Sequence, residues 1–166
     1  MRNLRLVFSV LLSGLFILMA QDGSAQATST PEERTQWVQI SHQLETSPLD
    51  ESVNKQGEWA LKRVSDVHDI HVPLCPGLLS GFNGLKYTYS HQITRQYMLA
   101  STAFLLENPE KASDLDAMNL TAVESVLKTY QAILHQKPDA KAKTLDDLLK
   151  KQSQGKLKEF TQKQCH

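Results

Sequence analysis

The chain has 166 residues, of which 18 are basic, 18 acidic and 40% apolar. Its zero formal charge removes the electrostatic reason to expect nucleic acid or an anionic membrane as partner. No internal repeat or low-complexity tract divides it, and its length fits one ordinary domain behind a leader.

Met1 to Ala27 reads as a cleaved signal peptide: Arg2 and Arg5 precede an apolar run from Leu6 to Ala20, and Ala25-Gln26-Ala27 offers small residues for cleavage after Ala27. As a helix that run would span roughly 22 Å, short of the about 30 Å of hydrocarbon a membrane anchor must cross. The expectation is an exported protein, periplasmic or extracellular, comprising residues 28–166 as one helical domain with no membrane attachment after cleavage. Loss of Arg2, Arg5 and Asp22 leaves it nearly neutral. In an oxidising compartment the even pair Cys75 and Cys165 is expected to form an intrachain disulfide.

Thr30-Pro31-Glu32-Glu33 announces a first helix, with Thr30 and Glu33 as a capping box and Trp37, Ile40 and Leu44 as its apolar stripe. Ser47-Pro48 ends it and, with Asp50, opens a second helix reaching about Val67, whose inner face carries Val53, Ala60, Leu61 and Val64. Gly57 inside that helix suggests a close crossing by a neighbour, since glycine otherwise only weakens a helix. From His68 to Gly84 the rhythm breaks. An ordered loop is expected there, with a short helical turn formed by Leu78, Leu79 and Phe82.

Tyr87 to Asn108 is the most apolar stretch after the leader and predicts the helix around which the others gather. Ile93, Tyr97, Ala100 and Phe104 share one face, with Met98, Leu99, Leu105 and Leu106 on much of the remainder. Asn108-Pro109 stops it. A fourth long helix follows, with Ser113 and Asp116 as a capping box and Leu120, Val123, Leu127, Tyr130 and Leu134 on one seam, ending at Lys137-Pro138. Thr144 to Asp147 caps a shorter helix carrying Leu145, Leu148 and Leu149, and Gly155 ends it as a left-handed residue. A last segment carries Leu157, Phe160 and Cys165. The fold expected is all-α, a compact bundle of about four principal helices with short helical segments and one intrachain disulfide.

Chemistry-bearing patterns are sparse. His68 and His71 lie near Cys75 in the run Asp66 to Cys75 and could ligate zinc with both sulfurs, but the spacing matches no zinc finger and a disulfide would consume the thiolates. His42-x-x-Glu45 reverses the Glu-x-x-His order of carboxylate-bridged metal bundles. Gly77-Leu78-Leu79-Ser80-Gly81 lacks the spacing of a nucleophile elbow, and Gly77, Gly81 and Gly84 precede no Gly-Lys-Ser or Gly-Lys-Thr phosphate loop. No catalytic residue, cofactor or metal is assigned. Asn119-Leu120-Thr121 is a formal glycosylation sequon inside a predicted helix. Tyr87, His91 and Arg95 fall at i, i+4 and i+8 of the central helix. If this strip faces a groove it is a candidate site for an acidic group of a ligand or partner, because arginine presents a donor fork matched to a carboxylate.

Cys75-Pro76-Gly77, Gly81 and Asn108-Pro109-Glu110 succeed one another in an order that resembles the small exported immunity proteins that neutralise cell-wall amidase toxins. The chain departs from that family in lacking its extra cysteines and in extending further. Three functions are weighed: a non-catalytic exported module binding a protein or small ligand, which is the leading expectation; an immunity or inhibitor protein of one partner; and an enzyme whose site is assembled from residues such as His68, His71, His91 or Arg95.

Overall fold

The computed structural model describes residues 27–166, so the predicted leader lies outside the described residues save for Ala27. Its helices are α1 (Pro31–Thr46), α2 (Glu51–Asp66), α3 (Pro76–Asn83), α4 (Ser90–Glu107), α5 (Leu115–Gln136), α6 (Lys143–Ser153) and α7 (Leu157–Cys165). A 3-10 turn, Pro109–Lys111, joins α4 to α5, and no strand occurs among the described residues. The bundle is all-α with four long members, α1, α2, α4 and α5.

Helix α4 is the axis, in contact with α1, α2, α3 and α5. Ile93, Tyr97 and Ala100 enter one apolar cluster with Val123, Leu127, Tyr130 and Ile133 of α5, closed off by Leu78 and Phe82 of α3 and by Leu145, Leu148 and Leu157. On another side Leu99 meets Trp37, Ile40 and Leu44 of α1 and Ala60 of α2 in a second cluster. A helix apolar around most of its circumference has no solvated face to offer, so neighbours must surround it. Between the clusters runs a polar seam. Gln96 donates from Nε2 to the Ser41 carbonyl at 3.0 Å and to Ser125 Oγ at 2.6 Å, and Ser125 donates to Glu45 Oε1 at 2.7 Å.

Local chemistry sets the helix ends. Thr30 and Glu33 form the expected capping box. Asp50 rather than Ser47 caps α2, accepting from the Val53 N–H, which starts that helix later than the Ser47-Pro48 pair suggests. Asp114 likewise replaces Ser113 as cap of α5, accepting from the Ala117 N–H. Lys143 rather than Thr144 begins α6, whose N-terminus has no side-chain cap. In each case aspartate or backbone geometry one to three residues away supplied the start. Gly155 has the expected positive φ of 69°. The Gly155 N–H bonds to the Gln152 carbonyl and the Lys156 N–H to the Lys151 carbonyl, the paired closure of a left-handed helix stop. Gly57 marks a close crossing, as expected: a Cβ there would come within 3.0 Å of both Leu44 Cδ1 and Arg95 Nε.

Cys75 and Cys165 are joined, with their Cα atoms 5.4 Å apart. The bond ties α7 to the N-terminus of α3, and the backbones touch beside it: a Cβ on Gly77 would sit 2.2 Å from the Gln164 carbonyl oxygen. The expected turn at Leu78 to Phe82 is therefore an eight-residue helix wedged between α4 and α7.

Candidate functional site

Tyr87, His91 and Arg95 do not form one strip. Helix α4 begins at Ser90, so Tyr87 sits in the preceding turn and the i, i+4 geometry does not extend back to it. Its hydroxyl donates to the Ala140 carbonyl at 3.1 Å, its ring lies 6.0 Å from that of Tyr130, and burial raises its pKa. Tyr87 packs the apolar cluster of α5 and α6.

His91 and Arg95 do meet. With Thr94 and Met98 they present one face of α4 toward α2, lining a cavity of about 200 Å³ whose other walls are Glu58 and Leu61 of α2 and Asn83 of α3. Positions 91, 94, 95 and 98 obey the i, i+3, i+4, i+7 rule, so this face was legible once the true helix start was known. Glu58 and Asn83 come from elements that only the tertiary fold brings alongside.

Arg95 is the unusual member, only 7% exposed. It donates from Nη1 to the Asn54 carbonyl at 3.2 Å and from Nη2 to Asn54 Oδ1, using two of the five N–H groups of a guanidinium. Its Nε, facing Gly57, has no partner. The nearest carboxylate is Glu58, 3.8 Å away on a side chain 74% exposed. Burial lowers the Arg95 pKa, and the Glu58 charge only partly offsets this. A cation this deep normally has a close, hydrogen-bonded counter-charge. Beside it Thr94 Oγ1 is buried without a partner. The cavity thus gathers a weakly neutralised guanidinium, an imidazole and a free hydroxyl. It can clamp an anion. No base hydrogen-bonds the Thr94 hydroxyl, so it is not an activated nucleophile.

A second cavity, of about 170 Å³, adjoins the first. Leu61, Val64 and Ser65 of α2, Ile70, Val72 and Leu74 of the following loop, and Met98 and Thr102 of α4 line it, and Leu61 and Met98 line both cavities. A third, of about 340 Å³, opens between α1 and α2, where Gln36, Gln39, Gln43 and Gln56 surround Trp59, which is 43% exposed.

His68 and His71 are placed elsewhere. His68 Nδ1 lies 2.9 Å from the Ala27 carbonyl, which also accepts from the His68 N–H, and His71 is exposed. Both sulfurs are bonded to each other, and no group of three or more potential metal ligands gathers among the described residues. Asp69 from the same run instead fastens the start of the domain. Burial would raise its pKa, but hydrogen bonds from the Ser29 hydroxyl, the Ser29 N–H and Arg34 outweigh burial and hold it down to about 2. A depressed carboxyl contributes stability above its unfolded pKa near 3.8 and loses it as pH falls through about 2. Protection of the Ser29 amide against hydrogen exchange should therefore persist at pH 4 and vanish towards pH 2. An Asp69 carboxyl titrating near its ordinary value by carbon NMR would contradict the clamp.

His42 and Glu45 also diverge, His42 to Glu107 at 3.0 Å and Glu45 to Lys128 at 3.0 Å. Asn119 of the sequon is 4% exposed and accepts from the Tyr97 hydroxyl at 2.8 Å, so the folded protein offers it to no glycosylating enzyme. No helix among the described residues is long and apolar enough to cross a membrane. Compared with protein-family models, curated proteins and solved structures, the chain matches none.

Proposed function

We propose that the protein is an exported, non-catalytic binding module that holds an acidic group in the cavity between α2 and α4. The observation that carries this reading is Arg95, a buried guanidinium whose nearest counter-charge is the outward-lying Glu58 at 3.8 Å. A carboxylate entering the cavity would replace Glu58 and occupy spare N–H groups of Arg95, with His91 at the mouth and the Thr94 hydroxyl beside it. The disulfide and the leader-like residues 1–27 support export to the periplasm or beyond the cell. Intact mass measurement of secreted material should find the chain beginning at Thr28.

Binding is tested by titrating the isotopically labelled protein with acetate and, separately, with acetamide. Acetate should move the resonances of His91, Thr94 and Arg95 saturably, and acetamide should not. Glu58→Gln removes the competing carboxylate from an exposed position and should tighten acetate binding by up to about fivefold. Arg95→Met should abolish it while also destabilising the fold, because Asn54 loses both its guanidinium bonds. Destabilisation with unchanged acetate shifts would reduce Arg95 to a structural pin between α2 and α4.

The exposed Trp59 favours a second reading, an inhibitor or immunity protein of one partner. Tryptophan is the residue type most often found anchoring protein interfaces. A one-to-one complex lost in Trp59→Ala, with acetate shifts intact, would move the function to the α1–α2 face.

A further inference from the structure

The two cavities between α2 and α4 differ in chemistry and share a wall. At one end lie His91, Thr94 and Arg95, with Thr94 Oγ1 and Arg95 Nε lacking partners. At the other, Val64, Ile70, Val72 and Leu74 form an apolar crevice whose polar members, Ser65 and Thr102, already donate within their own helices to Leu61 and Met98 carbonyls. That second crevice is lined by no ionisable side chain. Leu61 and Met98 stand between the two ends and border both. Methionine is the side chain best able to swing aside, since its unbranched thioether has several rotatable bonds.

From this juxtaposition we infer that the ligand is a monomeric aliphatic carboxylate, its acid head on Arg95 and Thr94 and its hydrocarbon tail passing Leu61 and Met98 into the crevice of Val64, Ile70, Val72 and Leu74. The inference rests on the anion-binding reading of Arg95 and adds the requirement for a tail. Charge pairing alone would accept any small acid. The apolar extension makes affinity grow with chain length, because each methylene removed from water adds to binding. The same extension gives no benefit to a polar diacid, whose second carboxylate would be stripped of water among aliphatic side chains.

The test is a calorimetric series on the full mature protein with acetate, hexanoate, octanoate and decanoate, each below its micellar concentration, alongside decanol and a diacid of matched length. Affinity should rise by about fourfold per methylene until the tail outruns the crevice, and decanoate should exceed both decanol and the diacid. Ser65→Trp, at an exposed position whose hydroxyl bonds only within α2, fills the crevice from its rim. It should cut decanoate affinity on the order of tenfold while leaving the acetate-induced shifts at Arg95 unchanged. Equal affinity for acetate and decanoate, or a Ser65→Trp protein that binds decanoate normally, overturns the inference and leaves the anion site standing. Equal affinity for decanol and decanoate, with no acetate shift at Arg95, removes the anion site itself and the inference with it.

Discussion

Replacing Cys75 and Cys165 together by serine should lower the free energy of unfolding by about 4 to 5 kcal/mol, the largest single effect expected in this protein. The two residues lie 90 positions apart, so the bond forbids a very long loop from opening in the unfolded chain. In the chain-entropy account the stabilisation grows with the logarithm of loop length and reaches that range here. Without the bond, α7 would be held to the bundle by the close contact at Gly77 and Gln164, by burial of Leu157 and Thr161 and by the Gln162 bond to Asp116 of α5. Urea denaturation of oxidised and serine-substituted protein measures the difference. Hydrogen exchange should show α7 opening before α4 and α5 in the substituted protein. A loss below about 1 kcal/mol would mean that the unfolded chain is already constrained in this region or that native strain cancels the gain. Free-thiol titration of secreted material provides the independent check, since both sulfurs should be unreactive under non-reducing conditions.

Tyr97→Phe should cost about 2 to 4 kcal/mol although it removes a single oxygen. Tyr97 is fully buried, and its hydroxyl joins three elements: it accepts from the Cys75 N–H at 3.1 Å and donates to Asn119 Oδ1 at 2.8 Å. Burial raises its pKa, the Cys75 N–H opposes that only in part, and the neutral phenol serves as donor. Phenylalanine would leave a buried amide N–H and a buried carboxamide oxygen unpaired, each worth about 1 to 3 kcal/mol in lost hydration. The ring contact with Phe82, with centroids 5.4 Å apart, would survive, so the loss reports the hydroxyl rather than a cavity. Because Cys75 takes part in both features, Tyr97→Phe should be non-additive with loss of the disulfide. A loss below about 0.5 kcal/mol would show that water replaces the hydroxyl.

The two effects converge on Cys75 at the N-terminus of α3, and the candidate site lies on the opposite side of α4 from Tyr97. Gln96, Tyr97 and Leu99 turn to α1 and α5, while His91, Thr94, Arg95 and Met98 turn to α2. One helix therefore acts both as the core of the bundle and as one wall of the crevice. Its polar residues follow that division only in part. Gln96 and Tyr97 have donors matched to acceptors in neighbouring helices, although Gln96 Oε1 has no partner, while Thr94 Oγ1 and Arg95 Nε are left over on the other side. Trp37 Nε1 of α1 is unpartnered as well, so what singles out the cavity is that one of its leftover groups belongs to a buried charge, Arg95.

Periodicity and stop signals in the chain itself were enough to determine the all-α class, the four long helices, the axial place of Tyr87 to Asn108, the left-handed stop at Gly155 and the pairing of Cys75 with Cys165. These depend on interactions between near neighbours, or on there being only two cysteines to join. Tertiary structure alone decided which aspartates cap α2 and α5, that Tyr87 belongs to the α5–α6 cluster, and that Arg95 is covered by α2 while His91 stays exposed at the cavity mouth. The physical reason is that a helical repeat specifies which residues share a face but not what that face meets. Arg95 reads as a surface charge until Gly57 lets α2 approach closely enough to cover it.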